Sequence, residues 1–403
     1  MKFALLSHVL PPSSSGQAVA LYRVLSGVNP DNYYLISSRE VLRQEKRGGG
    51  DNLFHLGGHY YPLPPELTFT RPNRFGLSGI RNLINIFIHI YTRARNILRI
   101  LRREPNTTAI IACTGDLVDI PAAFLASRIA RIPFFAYIFD DYVFQWTGNY
   151  RMFAKLVAPF IFKHSAGIIG PNEFICEEYR QRYNVNTTLV RNPCDKNELK
   201  KEPYQQRPAE SGKIKIVYTG AVYHANYDCF RNLVQAMELM KEHHLELHIY
   251  TAQPREQLEN QHIKGEQIFI HSHVSYSELV EQQRNANILF LPLAFESPIP
   301  EVIRTSAPGK LGEYLSSGRP VLAHVPANSF VAYYLEKYQC GLVASRNDPA
   351  SLKDQIIKLI NDEGFCRAIT LHARQRAKLD FDPQVAGEKL VDFLSTSIHG
   401  NPG

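Results

Sequence analysis

The chain has 403 residues, 44% hydrophobic and 21% charged, an ordinary globular composition on more chain than one core usually serves, so two domains of about 150–200 residues each are expected. Lys plus Arg (45) against Asp plus Glu (38) leave a formal charge of +7, which favours anionic ligands or surfaces and is too diffuse to indicate nucleic acid. Disorder and collagen-like repeats are excluded.

The start, MKFALLSHVLPPSSSG, has one Lys, a short apolar run and no small-residue cleavage site, and reads as a first strand rather than a secretory signal. The most lipophilic segment, NLINIFIHIYT (residues 82–92), is roughly half of the ~20 residues a membrane span requires, so a soluble chain is expected. Six cysteines (Cys113, Cys176, Cys194, Cys229, Cys340 and Cys366) lie scattered without a CxxC pair or clustered His. That pattern gives neither a zinc site nor a disulfide framework and fits a reducing cytoplasm. No metal and no cofactor are expected.

Short apolar runs alternate with helical-period segments, the sequence form of βαβ units with parallel strands. The first half supplies KFALLSH, YYLIS, TAIIACT, FFAYIF, AGIIG and TTLVRN, and the second KIKIVYTG, LELHIYT, QIFIHSHV, NILFLPL and RPVLAHV. Between them PCDKNELKKEPYQQRPAESGK (193–213) is rich in charge and Pro, as an interdomain linker and hinge would be. The expected architecture is α/β: two doubly wound, Rossmann-like domains, 1–192 and 214–380, with a ligand cleft between them at the carboxyl ends of the strands. A last helical segment, 384–397, is expected to pack back on the first domain, and GlyGlyGly at 48–50 marks a mobile loop.

In SHVLPPSSSGQAVALYRVL (7–25) a Pro, Ser and Gly loop joins a first strand to a helix. Its backbone N–H groups either hold phosphate or sugar hydroxyls or merely make the turn. The pattern is not GxGxxG and lacks the acid expected about 20 residues on, which disfavours a dehydrogenase-type dinucleotide site.

NRFGLSGIRNLINIFIHIYTRARNILRILRREP (73–105) is amphipathic and basic. Arg81, Arg93, Arg95, Arg99, Arg102 and Arg103 accompany Leu83, Ile86, Phe87, Ile90, Ile97, Leu98 and Leu101. Such a helix either lies on anionic lipid, giving a peripheral membrane contact, or packs its apolar face on the sheet beneath a solvated Arg face.

In AYIFDDYVFQW, Asp140 and Asp141 form either a sugar-hydroxyl or acceptor-base site or a cap for the following helix. Trp146, Phe144 and Tyr142 either stack on a sugar ring or belong to the core.

FESPIPEVIRTSAPGKLGEYLSSGRPVLAHV (295–325) carries the most information. A strand runs into a Pro-rich loop, and a helix is expected from Ser306 or Ala307 with Pro308 in its first turn and Gly318 at its end. Lys310 and Glu313 share a face near its start. A helix N-terminus, a Lys one turn inside and a Glu three residues later suit a pyrophosphate and a ribose diol. The alternative is a solvated ion pair.

The stretch PGKLGEYLSSGRPV resembles the donor-binding signature of retaining glycosyltransferases of family 4, which are of the two-Rossmann-domain GT-B type. KIKIVYTGAVYHANYDCFRNLVQAMELM is similar to the start of that family's second domain, and FIFKHSAGIIGPNEFICEEYRQRYNVNTTLVRNPCD to the end of its first. HSHVSYSELVEQQRNANILFLPL resembles the region whose loop meets the nucleobase. The likeness spans roughly residues 1 to 395.

It implies a retaining glycosyltransferase acting from a nucleotide diphosphate sugar on a glycan, lipid-linked or small-molecule acceptor, with acceptor in the first domain and donor in the second. Donor contacts are implied at Gly16, Gln17, Gly220, Val274, Ser306, Lys310, Leu311 and Glu313, sugar contacts at Glu296 and Ser297, and catalytic roles at Asp140 and Asp141. The first acid of the family's E-x7-E motif falls at Thr305, and the family's Arg and Lys after the second-domain Gly are replaced by Ala221, Val222, Tyr223 and His224. Those departures keep two alternatives open, a nucleotide-sugar 2-epimerase and a GT-B scaffold that binds without turnover.

Overall fold

The computed structural model describes residues 1–37, 55–66, 68, 78–201, 212–272 and 274–399. The expected loop at 48–50, residues 73–77 of the basic segment and 202–211 of the expected linker lie outside them. The chain divides into two compact units, one of residues 1–192 with 383–403 and one of residues 193–382.

Unit 1 contains β1 (Phe3–Leu6), α1 (Gly16–Leu25), β2 (Tyr33–Ser37), β3 (His59–Pro62), α2 (Ser78–Arg103), β4 (Ala109–Cys113), α3 (Asp119–Ala130), β5 (Phe134–Tyr137), α4 (Gly148–Lys163), β6 (Gly167–Gly170), α5 (Glu173–Tyr183) and β7 (Thr187–Leu189). All its strand pairings are parallel, in the order β3-β2-β1-β4-β5-β6-β7. The central strands are buried on both faces, hence unbroken apolar runs such as FALL and AIIAC. Local signals set the helix ends: the Asn172 side chain accepts from Ile175 N–H at the start of α5, and Asn184 closes it in the left-handed region.

Unit 2 contains α6 (Lys196–Lys200), β8 (Ile214–Thr219), α7 (Tyr227–Glu238), β9 (Leu245–Tyr250), α8 (Arg255–Asn260), β10 (Ile268–His271), α9 (Tyr276–Arg284), β11 (Ile288–Pro292), α10 (Pro300–Thr305), α11 (Gly309–Ser316), β12 (Val321–His324), α12 (Phe330–Tyr338), β13 (Leu342–Ala344), α13 (Pro349–Asn361) and α14 (Glu363–Asp380). Its parallel sheet runs β10-β9-β8-β11-β12-β13. In each sheet the strand order reverses beside the unit's first strand, between β1 and β4 and between β8 and β11, where open α/β sheets take their ligands.

The last helix, α15 (Pro383–His399), belongs to unit 1, with the Phe393 ring edge-on to Phe135 at 5.8 Å. The start of the expected linker is folded into unit 2. Cys194 N–H donates to the Phe381 carbonyl at 3.0 Å, Glu198 pairs with Arg284 at 3.2 Å, and Arg374 donates to the Lys201 carbonyl. Charge and Pro mark exposure, and these groups are held by partners distant in sequence.

Two strands escape the hydrophobic pattern: HYYP of β3 is half exposed at a sheet edge, and β13 has three residues. The helix expected from Ser306 or Ala307 begins at Gly309, and the Pro-rich loop before it holds a short helix of its own, α10. Ser306 and Pro308 are both extended (ψ 132° in each), so α10 ends at Thr305 and α11 begins at Gly309. A residue before Pro avoids the helical region, and Pro308 serves as the cap rather than a first-turn residue.

All six cysteines are free and buried. No helix among the described residues is long and apolar enough to cross a membrane.

Candidate functional site

At the carboxyl end of β8 the chain turns through Gly220 at φ 125°, a conformation that L side chains rarely adopt. A Cβ there would lie 2.5 Å from Lys310 Cε and 2.8 Å from Nζ, so the absence of a side chain is what admits the lysine. Lys310 Nζ sits 5.1 Å from the centre of the Tyr218 ring, a cation–π contact. Among the described residues it makes no ion pair, which leaves its charge available.

The loop after Gly220 is held by a set of side-chain hydrogen bonds. Asn226 Nδ2 donates to the Tyr218 hydroxyl (3.2 Å) and to the Ala221 carbonyl (3.1 Å), and its Oδ1 accepts from Tyr223 N–H (2.9 Å). The Tyr218 hydroxyl in turn donates to the Ala221 carbonyl at 2.5 Å, and Val222 N–H to Gln253 Oε1 at 3.0 Å. Burial pushes the Tyr218 and Tyr314 phenols well above the usual range, so both stay neutral hydrogen-bonding groups.

The helix α11 is fixed to the same edge. The Tyr314 hydroxyl accepts from Thr219 N–H at 3.0 Å, and Gln283 Nε2 donates to Thr219 Oγ1 at 2.9 Å. Leu311 N–H donates to the Pro308 carbonyl at 2.9 Å, while the Gly309 and Lys310 amides precede it in the unpaired first turn. A Cβ built on Gly309 meets nothing within 4 Å, so the helix opens into free space with its positive dipole end. One turn on, Glu313 lines a small recess with Asp195, Glu198, Tyr276, Gln283 and Ser316.

The loop after β11 completes the edge. Asp228 Oδ2 accepts from the N–H groups of Phe295 (2.7 Å) and Glu296 (3.0 Å), which holds Glu296 and Ser297 in place. Glu296 is exposed and Ser297 half-buried. Beneath them the His324 ring is buried, its Nδ1 against the Ala344 carbonyl at 2.9 Å, and burial lowers its pKa. Sequence reading missed Asp228 and Asn226. Their signal is the polar pair at the start of a helix in ANYD, but their partners lie elsewhere in the chain.

The structure thus brings Gly220, Lys310, Glu313, Glu296 and Ser297 to one sheet edge, with Val274 farther along it on the loop between β10 and α9. Ser306 closes α10, its N–H donating to the Ile303 carbonyl at 3.3 Å, three residues ahead of α11. Leu311 is a correction: its side chain is 1% exposed and its N–H is spent inside the turn, so it has no group for a ligand. Thr305, at the position of the missing acid, is buried, and its hydroxyl donates to the Glu301 carbonyl at 3.0 Å.

In unit 1 the predicted residues separate. Gly16 opens α1 with free space around it, beside Ser15, whose Oγ accepts from Ala18 N–H at 3.4 Å. The Gln17 amide has spent its donors, bridging Ser7 Oγ (3.0 Å) and the Thr114 carbonyl (2.9 Å), so it ties the ends of β1 and β4 together. Asp141 is 1% exposed. Its Oδ1 accepts from Val143 and Phe144 N–H at 2.9 Å each, and its Oδ2 pairs with Arg182 at 2.6 Å. That is the capping use, here of a turn rather than a helix, and it removes Asp141 from catalysis. Asp140 remains exposed. Tyr142 is a core residue, its hydroxyl donating to the Leu117 carbonyl at 2.8 Å, with Phe144 and Trp146 packed on the same core.

Arg93 departs from the expected solvated Arg face. It is 4% exposed and reaches Asp119 (2.5 Å), Asp116 (2.7 Å) and Glu66. Burial, reinforced by Asp116, pushes the Asp119 carboxyl up to about 7 despite that arginine.

Residues 213–362, just over a third of the chain and all within unit 2, match the family model described as glycosyl transferases group 1. No curated protein matches the chain. Among solved structures, HepE of Anabaena with UDP and glucose superposes with a TM-score of 0.66 at 13% identity, covering 98% of this chain and 100% of that one. Sucrose-phosphate synthase of Thermosynechococcus elongatus gives 0.69 at 12% identity over 99% and 100% of the two chains. A Listeria monocytogenes protein put forward as a UDP-N-acetylglucosamine 2-epimerase gives 0.62 at 10% identity over 99% and 97%. At these identities the likeness is one of fold: two parallel-sheet, Rossmann-like units of the GT-B type.

Proposed function

We propose that this chain is a retaining glycosyltransferase of the family 4 kind, moving a sugar from a nucleotide diphosphate sugar to a hydroxyl of a glycan, lipid-linked or small-molecule acceptor. The observation that carries the reading is Lys310 set against Gly220 at the open head of α11, inside the stretch matching the glycosyl transferases group 1 model. HepE, of the same fold, is solved with UDP-glucose, which supports a nucleotide sugar as the donor class here.

Unit 2 takes the donor. Lys310 and the first amides of α11 stabilise the charge that grows on the departing diphosphate, and the Glu313 carboxylate accepts the ribose hydroxyls. Glu296 and Ser297, on a loop held by Asp228, meet the transferred sugar. As the anomeric carbon–phosphate oxygen bond breaks, the acceptor oxygen bonds that carbon from the same face, and its proton passes to the leaving β-phosphate. No protein nucleophile is required. Unit 1 takes the acceptor, with Asp140 as its accessible carboxylate.

The test is a panel of UDP-, GDP-, ADP- and dTDP-sugars offered to the whole chain, with binding followed by calorimetry and turnover by nucleotide release. One of them binds, and the anomeric proton of the product keeps the donor's configuration by NMR. Failure of all four to bind ends the donor reading. Epimerisation of the sugar without an acceptor transfers the chain to the epimerase class.

A further inference from the structure

Helices α2, α3 and α4 cover one face of the unit 1 sheet, and all contribute to a single core through residues such as Ile97, Ala123 and Phe162. Their outer sides should therefore be polar. Instead α2 presents Leu83, Ile84, Phe87 and Tyr91, 44 to 63% exposed, and α4 presents Met152, Leu156 and Phe160, 63 to 78% exposed. The α4 residues fall at intervals of four, one stripe along the helix. Ring contacts join the helices: Phe87 lies edge-on to Phe153 of α4 at 5.9 Å, and Phe160 edge-on to Phe124 of α3 at 5.8 Å, beside the exposed Leu125. The result is a surface rather than scattered apolar residues, and surfaces of that kind mark interaction sites.

Its charge names the partner. The three helices hold ten Lys and Arg and one acid, Asp119, which is 0% exposed. Arg95, Arg99, Arg102, Arg128, Lys155 and Lys163 are exposed and, among the described residues, in no ion pair. A second copy docking face to face would set cations against cations, with no exposed acid on these helices to offset them. An anionic bilayer accepts both components, the aliphatic and aromatic side chains entering the headgroup boundary and the cations meeting lipid phosphates.

We infer that unit 1 docks through the α2, α3 and α4 face onto an anionic lipid surface. This stands apart from the glycosyl-transfer reading, because none of these side chains belongs to the donor edge.

Flotation of the full chain with two vesicle types tests it: phosphatidylcholine alone, and phosphatidylcholine with an equal part of phosphatidylglycerol. The chain floats with the second type and not the first, and added salt releases it. Leu156→Glu with Phe160→Glu lowers the bound fraction roughly tenfold or more, and Lys155→Glu with Lys163→Glu does the same. Both pairs are exposed and the chain stays folded, the Leu156→Glu, Phe160→Glu midpoint falling by a few degrees at most for the lost Phe160–Phe124 ring contact. Leu371→Glu, at a 67% exposed leucine of unit 2, floats like wild type. No flotation with the anionic vesicles overturns the inference, as does equal flotation of the Leu156→Glu, Phe160→Glu variant. Self-association abolished by that same variant, without vesicle binding, overturns it in favour of a second copy.

Discussion

The two units have the same kind of sheet and the same kind of edge at the strand-order reversal, yet they spend their polar groups differently. In unit 1 the edge is closed on itself. Gln17 ties Ser7 to Thr114, Asp141 fills a turn and pairs with Arg182, and Gly115 at φ 111° lets His8 and Gln17 crowd against the backbone. In unit 2 the neutral groups Asn226, Tyr314 and Gln283 build the scaffold, while Lys310 and the first amides of α11 stay uncommitted. Similar folds therefore differ in what they can bind, because a charged group already satisfied inside the protein offers a ligand little. The charge left over at the unit 2 edge is that of Lys310, whereas at the unit 1 edge the Asp140 carboxylate is the one that stays accessible.

That contrast breaks first at its buried acids. Asp141→Ala strips the acceptor from the Val143 and Phe144 N–H groups and removes one of the two carboxylates on Arg182, which keeps Glu178, and should cost unit 1 about 3 kcal/mol, read from urea unfolding followed by Trp146, the only tryptophan in the chain. Nucleotide affinity should change little under conditions where the variant stays folded. Asp228→Ala strips the acceptor from three backbone N–H groups, those of Phe295, Glu296 and Cys229, and should cost unit 2 about 2–3 kcal/mol, read as a circular-dichroism transition moved without the Trp146 signal. Glu313→Ala should weaken nucleotide binding roughly tenfold, read by calorimetric titration of the folded variant.

The smallest effect is a pair of opposite pH slopes. Asp119 holds its proton up to about 7 in the native state but, unfolded, loses it near the ordinary value of about 4. Between those limits unit 1 loses stability as pH rises. For His324 the native pKa is depressed by burial, so above the ordinary value of about 6.5 it is neutral in both states and has no effect. Below that value only the unfolded chain takes up the proton readily, and unit 2 loses stability as pH falls. His248 and His271, lowered mainly by burial as well, add to the unit 2 slope. Urea midpoints read by Trp146 and by circular dichroism across about pH 5 to 7 should move in opposite directions for the two units. His324→Gln should reduce the second slope, leaving the share that His248 and His271 contribute.

Much of this was legible in the residue order. Apolar runs such as FALL and IVYT are buried strands because a parallel sheet covered on both faces tolerates nothing polar there. The segment PGKLGEYLSSGRPV showed its lysine, its glutamate and its closing glycine through local helix rules. What it hid was long-range. Asp141 reads the same whether it meets a ligand or Arg182, which is 41 residues away. Leu311 follows the informative lysine and yet points inward, because the apolar face of an eight-residue helix passes through it. Arg93 sits in an Arg-rich run, and only the packing of α2 on α3 shows that it alone turns in toward Asp119. The outer stripe of α4 was invisible for the opposite reason: Met152, Leu156 and Phe160 have core spacing, and sequence periodicity cannot say which of two apolar faces is left uncovered.

The central claim is that the uncommitted charge of Lys310 makes the unit 2 edge a diphosphate site. Calorimetric titration of wild type and Lys310→Ala with UDP, GDP, ADP and dTDP tests it most directly. Removing a charged hydrogen-bonding partner should weaken the preferred nucleotide by roughly 10- to 100-fold, with the melting midpoint little changed, because among the described residues the lysine pairs with no carboxylate and gives up only its contact with the Tyr218 ring. Equal affinity in the two proteins, or no binding of any nucleotide by the wild type, would contradict the account.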